Sequence, residues 1–306
     1  MRVLTNADWV RAARAAKAVV PGFNIPYLPM MAPVVRALRD TECAGLIMVA
    51  RLEWTKFEAR SLAAIREEYE RVKDERYTRL HLDHVPVIDE DDLRVDVAPL
   101  MREAIRLGYG SIMVDGSRLP LAENIAATRE VVELARQAGV AVEAELGAVF
   151  GHGEGPLPPY EELFASGRGF TDPGEAARFV RETGTDWLSV AVGSLHGAIS
   201  RTRKDEKKAE ARLDISRLKA IHAAAGVPLV LHGGTGIRKV YIMDAIPSGI
   251  AKINVATAIR QPYERALAGG AEKAADAVYA ATVRVIREDL EVAGSAKVIN
   301  PAGGSA

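Results

Sequence analysis

Six histidines are spread over the 306 residues, and three of them stand at or just beyond the ends of short apolar runs. These are His84 in His81-Leu82-Asp83-His84, His196 in Ser194-Leu195-His196-Gly197, and His232 at the head of His232-Gly233-Gly234-Thr235-Gly236. Three neutral imidazoles that leave one coordination position open make a catalytic zinc site, in which the ion acts as a Lewis acid on a bound oxygen. Carboxylates occupy comparable places: Asp83 beside His84, Asp115 in Asp115-Gly116-Ser117, and Glu145 in Glu143-Ala144-Glu145. An acid at such a mouth suits general base work. The Gly-rich turn at 233–236 can bring backbone N–H groups close to an anion, and Gly197, Asn254 and Thr257 add amide and hydroxyl donors for a phosphate. Taken singly, each feature has an ordinary structural account, a rim histidine bonded to backbone or a tight turn needing positive φ. Three histidines at equivalent positions are harder to explain that way. His222 falls in a polar helical stretch and reads as surface, His81 shares a strand face with Asp83 and reads as a supporting or buried group, and His152 lies in a Gly-rich loop.

The elements that must position these groups follow one rhythm. Apolar runs of strand character occur at Gly22–Ile25, Ala44–Ala50, Arg79–His84, Ser111–Val114, Val140–Glu145, Trp187–Ala191, Val227–His232 and Ala251–Val255. Segments of helical period lie between them, such as Leu121–Gln137, where Pro120 stands as a first-turn proline and Gly139 as a C-terminal cap. Asp172-Pro173 to Gly184 and Asp214 to Gly226 repeat the pattern. Eight strand–helix units predict a (β/α)8 TIM barrel, whereas a doubly wound open sheet, the alternative with the same local alternation, would carry five or six strands. The whole chain, 1–306, reads as that one domain, with one or two extra C-terminal helices over Tyr263–Leu290 and a mobile tail at Gly294–Ala306. Phe150–Phe170 and Gly197–Arg212 read as long loops on the catalytic face. Because a barrel interior is packed with apolar side chains, polar residues at strand ends are the functional candidates.

Composition narrows the partners. At 48% hydrophobic and 26% charged, disorder and a coiled coil are excluded, and 40 basic against 41 acidic residues leave no global field to recruit nucleic acid or an anionic membrane. The single Cys43 excludes a disulfide framework and a cysteine zinc cluster. The first residues lack the apolar core of a signal peptide and no stretch is long enough to span a membrane, so a cytoplasmic protein is expected.

Seven motifs, in order and over nearly the whole chain, resemble the class II, zinc-dependent ketose-bisphosphate aldolases of fructose- and tagatose-bisphosphate type. They are Gly-Phe-Asn-Ile at 22–25, His-Leu-Asp-His at 81–84, Ser-Ile-Met-Val-Asp-Gly-Ser at 111–117 with Glu123-Asn124 and Thr128, Val-Glu-Ala-Glu-Leu-Gly at 142–147, Leu195-His196-Gly197, Pro-Leu-Val-Leu-His-Gly-Gly-Thr-Gly at 228–236, and Lys-Ile-Asn-Val-Ala-Thr at 252–257. The resemblance implies reversible cleavage of a ketose 1,6-bisphosphate, fructose 1,6-bisphosphate first, to dihydroxyacetone phosphate and an aldehyde, glyceraldehyde 3-phosphate. It implies that His84, His196 and His232 ligate the catalytic zinc and that Asp83 exchanges a proton with the C4 hydroxyl. Glu145 and Asp115 would lie at a second cation position, divalent or monovalent, or support the site. Asn24, Gly197, Gly233, Gly234, Thr235, Asn254 and Thr257 would hold substrate and its phosphate, with Asn254 also near the reacting carbons. Homodimers or homotetramers are implied as well.

Three departures from the family pattern bear on the substrate. The loop after Glu145 reads Phe150-Gly151-His152-Gly153-Glu154, which makes Glu154 the candidate for the acid that protonates the enediolate carbon. Ala198-Ile199-Ser200 and the charge run Arg201–Lys208 replace an aromatic and a lysine after Gly197. Ala50-Arg51-Leu52-Glu53 replaces a small hydroxyl residue, so that Arg51 can pair with a substrate phosphate or carboxylate, or with Glu53. Tagatose 1,6-bisphosphate and other ketose phosphates stay open as substrates. Rival chemistries are a Schiff-base aldolase using Lys252, which shares the strand parity of Asn254, a zinc hydrolase with Asp83 as base, and a sugar-phosphate sensor, for which Asp83 would be superfluous.

Overall fold

The computed structural model describes residues 3–148, 160–194 and 211–301. Eight parallel strands close into a barrel in sequence order: β1 (Val20–Asn24), β2 (Gly45–Ala50), β3 (Thr78–Pro86), β4 (Ser111–Asp115), β5 (Ala141–Leu146), β6 (Trp187–Val190), β7 (Leu229–Leu231) and β8 (Ile250–Val255). Each overlaps one of the eight apolar runs. The seam is β1 on β8, with Val20 opposite Lys252 and Gly22 opposite Asn254, and this closure excludes the open sheet.

The helices start and stop where the punctuation directs. Asp172 accepts the Glu175 N–H ahead of the helix Pro173–Thr183, and Asp214 accepts the Arg217 N–H ahead of Ile215–Ala225. Gly184 and Gly226 close them at φ of +71° and +72°. In the helix Leu121–Ala138, Pro120 sits one residue ahead of the first turn, as N-cap. Outward strand side chains pack against these helices, but the interior differs from expectation. His81, Ser111, Glu143, Ser189 and Lys252 are fully buried, so the barrel holds a charged layer where apolar side chains were expected.

The N-terminal mouth is plugged. Asn6, opening the helix Asn6–Ala16, donates from Nδ2 to the Leu80 carbonyl at 3.0 Å and to Ser111 Oγ at 2.7 Å. Two further helices, Thr257–Ala266 and Ala271–Arg284, follow β8, and a π turn at Val285–Asp289 ends the second. The start of the run expected to be a mobile tail is docked instead: the Gly294 N–H donates to the Thr41 carbonyl at 2.9 Å, and Ile299 in the turn Ala296–Ile299 is fully buried. Residues 302–306 lie outside the described residues. Among the described residues no helix is long and apolar enough to cross a membrane.

Candidate active site

Strand alternation should send Asp83 and His84 to opposite faces of β3. It does not, because the pairing of β3 with β4 shifts register between Leu82 and Val85 and His84 takes a φ of +23°. Such a backbone costs on the order of 1–3 kcal/mol and re-aims a side chain, so both residues reach the C-terminal mouth. Asp83 is 1% exposed and is held by two amides: Asn24 Nδ2 from β1 donates to Oδ2 at 3.0 Å, and Asn254 Nδ2 from β8 donates to Oδ1 at 2.9 Å and Oδ2 at 3.1 Å. Burial opposes ionisation, but Lys252, His84, His81 and His232 outweigh it and hold the Asp83 carboxyl well below the usual carboxylate range.

His84 and His232, from β3 and the end of β7, face one another with ring centroids 4.3 Å apart. Around them stand Asp115 Oδ2, 3.3 Å from His84 Nδ1, and Glu145 Oε2, 2.8 Å from His232 Nδ1 and 3.9 Å from His84 Nδ1. The other ring nitrogen of His232, Nε2, lies 2.9 Å from Glu143 Oε1. Glu143 therefore accepts the hydrogen bond of Nε2–H, which keeps the proton on that nitrogen and turns the Nδ1 lone pair toward the Glu145 carboxylate, where a cation or a second proton must sit. Burial disfavours the imidazolium, yet Glu145 and Glu143 raise His232 to about 10, which expresses the same demand for positive charge. Ligand atoms of Asp83, His84 and His232 lie within 4.8 Å of one another, as do those of His84, Asp115 and Glu145. Imidazole nitrogens and carboxylate oxygens at this spacing, with a carboxylate fixing the tautomer, fit a divalent cation.

Beneath the mouth Glu143 is a hub. It accepts from Trp187 Nε1 at 2.5 Å and from Lys252 Nζ at 2.8 Å as well as from His232. Lys252 lies 3.6 Å from Asp83 Oδ1, and His81, 3.6–3.7 Å from Glu143 and Asp83, bonds through Nδ1 to Ser111 Oγ at 2.7 Å. Burial keeps His81 below its ordinary value and so neutral. Asn124 anchors the end of β5 by donating to the Glu145 carbonyl at 2.9 Å, and Gly116 makes room for it, since a Cβ there would stand 2.2 Å from Asn124 Oδ1. Thr128 Oγ1 donates to Asn124 Oδ1 at 3.2 Å, so the motif residues Asn124 and Thr128 are structural supports.

Other expected residues are placed as follows. Gly233, at φ +68°, and Thr235 lie partly buried beyond β7, and Thr257 opens the helix after β8. Gly234 differs from its expected phosphate role in one respect: its N–H donates to the Asn254 carbonyl at 3.3 Å, and a Cβ would meet Ile253 Cγ2 at 2.6 Å, so close approach to β8 requires glycine there. Asn254 Oδ1 is buried at the mouth without a hydrogen-bond partner among the described residues. Arg51 pairs with Asp89 at 3.2 Å, not with Glu53. His196, Gly197, His152, Glu154 and the Arg201–Lys208 run lie outside the described residues. Sequence reasoning passed over Glu143 and Glu53; the period-2 parity of Glu143 with Glu145 was the available signal for the first.

The model of the family described as "Fructose-bisphosphate aldolase class-II" matches residues 5–298. The chain belongs to this family. Over 178 residues, 58% of the chain, it is 40% identical to proteins named fructose-bisphosphate aldolase from Staphylococcus aureus and Staphylococcus epidermidis, and this match spans about half (54%) of their length. Among solved structures, the YdjI aldolase of Escherichia coli superposes with a TM-score of 0.75 at 25% identity, covering 96% of this chain and all of that one. A putative fructose-1,6-biphosphate aldolase from Coccidioides immitis gives 0.75 at 26% identity, with coverages of 96% and 98%. Class II aldolase membership makes the two-histidine, three-carboxylate mouth the place to look for that family's chemistry.

Proposed function

We propose that the protein is a zinc-dependent class II aldolase, a lyase that reversibly cleaves a ketose 1,6-bisphosphate, fructose 1,6-bisphosphate foremost, to dihydroxyacetone phosphate and glyceraldehyde 3-phosphate. The observation that carries this reading is the convergence of His84, His232 and Asp83, with ligand atoms within 4.8 Å of one another, in a chain of this family. His84 and His232, with His196 as third ligand, would hold the ion, and Glu145 and Asp115 would bear on a second cation or on the ligands themselves. The bound metal supplies electrophilic stabilisation of the negative charge that develops as the C3–C4 bond breaks.

The remaining steps belong to the protein's own groups. Asp83, held ionised between Asn24 and Asn254, takes the proton of the C4 hydroxyl and returns it in the condensation direction. Asn254 offers its unpartnered Oδ1 to a substrate hydroxyl, a pairing that repays a buried acceptor. Gly197, Gly233, Thr235 and Thr257 hold a phosphate, and Glu154 protonates the enediolate carbon. The Lys252 reading loses support, because that amine is fully buried and spent on Glu143 and Asp83.

A coupled assay of dihydroxyacetone phosphate release over a panel of ketose mono- and bisphosphates, with and without chelator, tests this reading. Cleavage of fructose 1,6-bisphosphate that disappears on metal removal and returns with Zn2+ is expected. Activity that survives complete chelation and is lost instead to borohydride with substrate would overturn the metal reading. Preference for tagatose 1,6-bisphosphate would move the substrate but keep the chemistry.

A further inference from the structure

The steps above leave Lys252 without a part, although its side chain is fully buried in the barrel interior. It stands on β8 opposite Val20 of β1 and Val230 of β7, two residues before Asn254 and on the same strand face. Taking an ammonium and a carboxylate out of water is costly, and apolar residues of similar volume often serve stability as well as a buried ion pair does. The contacts of the pair point to a second use. Lys252 Nζ lies 3.1 Å from Glu143 Oε1 and 2.8 Å from Oε2, so one ammonium grips both oxygens and fixes the plane of the carboxylate. A glutamate otherwise leaves that plane loose, because its terminal torsion has a broad, two-fold profile. With the plane fixed, Oε1 meets His232 Nε2 at 2.9 Å and Oε2 meets Trp187 Nε1 at 2.5 Å. The indole N–H can only donate, so it reinforces the same orientation.

Oε1 is the acceptor that keeps a proton on His232 Nε2 and leaves Nδ1 facing Glu145 and the cation position. We propose that Lys252 is a positioning residue of the metal centre: by fixing the Glu143 carboxylate it holds the His232 ring in the tautomer and orientation that a divalent cation requires. This rests on the metal-dependent reading above. Lys252 touches neither metal nor substrate in this role and acts only through Glu143. Its approach to Asp83 Oδ1, 3.6 Å, is too long for a hydrogen bond and adds only charge.

Zinc affinity separates this role from plain charge, because the two act with opposite signs. A buried cation beside the ligands repels a second cation, so its removal by charge alone would tighten zinc binding. Loss of positioning weakens it instead, and disturbing an outer partner of a metal-bound histidine costs about 10–100-fold in affinity. Lys252→Met fills the same space with no donor; Lys252→Gln keeps a neutral donor and serves where the first variant fails to fold. Measured by competition with a chelator of known affinity, the zinc Kd is expected to rise about tenfold for Lys252→Met and by less for Lys252→Gln. In a Glu143→Leu background the same substitutions should cost nothing further, whereas a merely structural loss would add to the first. The inference is overturned if zinc binding is unchanged or tighter in the Lys252 variants, or if their loss persists undiminished without Glu143. A wild-type protein that binds no zinc would instead overturn the metal-dependent reading itself.

Discussion

Asp83 and His232 sit a few ångströms apart in one buried cluster, yet substitution should separate their duties. Asp83 is ionised by its surroundings and aimed by two amides, so Asp83→Ala is expected to keep zinc and substrate while kcat falls by about 10²–10⁴, the usual range for a removed general acid–base group. Metal analysis beside steady-state kinetics checks this, and an unchanged kcat would refute the assignment. His232→Ala should lose bound metal first. It also strips a partner from Glu143, leaving that carboxylate to Lys252 and Trp187, so a loss of stability accompanies it. The candidate residues at this scale were legible wherever residue type alone carries the chemistry: His84, His232, Asp83, Glu145 and Asp115 all reach the mouth. Glu143 was passed over although its period-2 parity with Glu145 placed it on the same strand face, and Glu53 because nothing in an isolated Glu says whether it faces water or the protein interior.

Among the elements, β3 and the β7 turn decide the geometry. Regular alternation along β3 would have kept Asp83 and lost His84, and only the register shift before Val85, with its left-handed His84, admits both. The β7 turn makes a sharper prediction. A methyl group at Gly234 would press on Ile253 and on the carbonyl of Asn254, so Gly234→Ala should destabilise by about 1–3 kcal/mol and displace Asn254 from Asp83. Gly139 is the contrasting case: its φ of +67° disfavours a side chain but nothing lies within 4 Å, so Gly139→Ala should cost only about 1 kcal/mol and leave kcat untouched. Thermal melts and kinetics on the two variants distinguish a contact from a conformational penalty; equal effects on kcat would remove the β7 turn from the active site. Strand and helix positions were legible because strand runs, caps and breakers act locally. The docking of 294–301 was not, since Thr41, its partner, is some 250 residues away in sequence.

At the scale of the molecule, the barrel gathers Asp83, Asp115, Glu143 and Glu145 at its centre, countered by Lys252 and by imidazoles whose charge depends on protonation. A divalent ion that binds this cluster only in the folded state stabilises it by mass action, by about 4 kcal/mol at a thousandfold excess over Kd. Metal-stripped protein is therefore expected to melt several degrees below the zinc-loaded form at the same scan rate, and His232→Ala should shrink the gap. Identical melting of stripped and loaded wild type would remove the metal from the site.

Sequence alone determined the eight strand–helix units, the caps that bound them and the identity of most groups at the mouth, because those follow from periodicity, turn chemistry and side-chain type within short windows. Tertiary structure alone decided the charged layer inside the barrel, the aim of His84, the pairing of Arg51 with Asp89 and the burial of Glu53. These depend on closure, which makes neighbours of residues far apart in the chain, and on register, where a shift of one residue turns a side chain from water to the core.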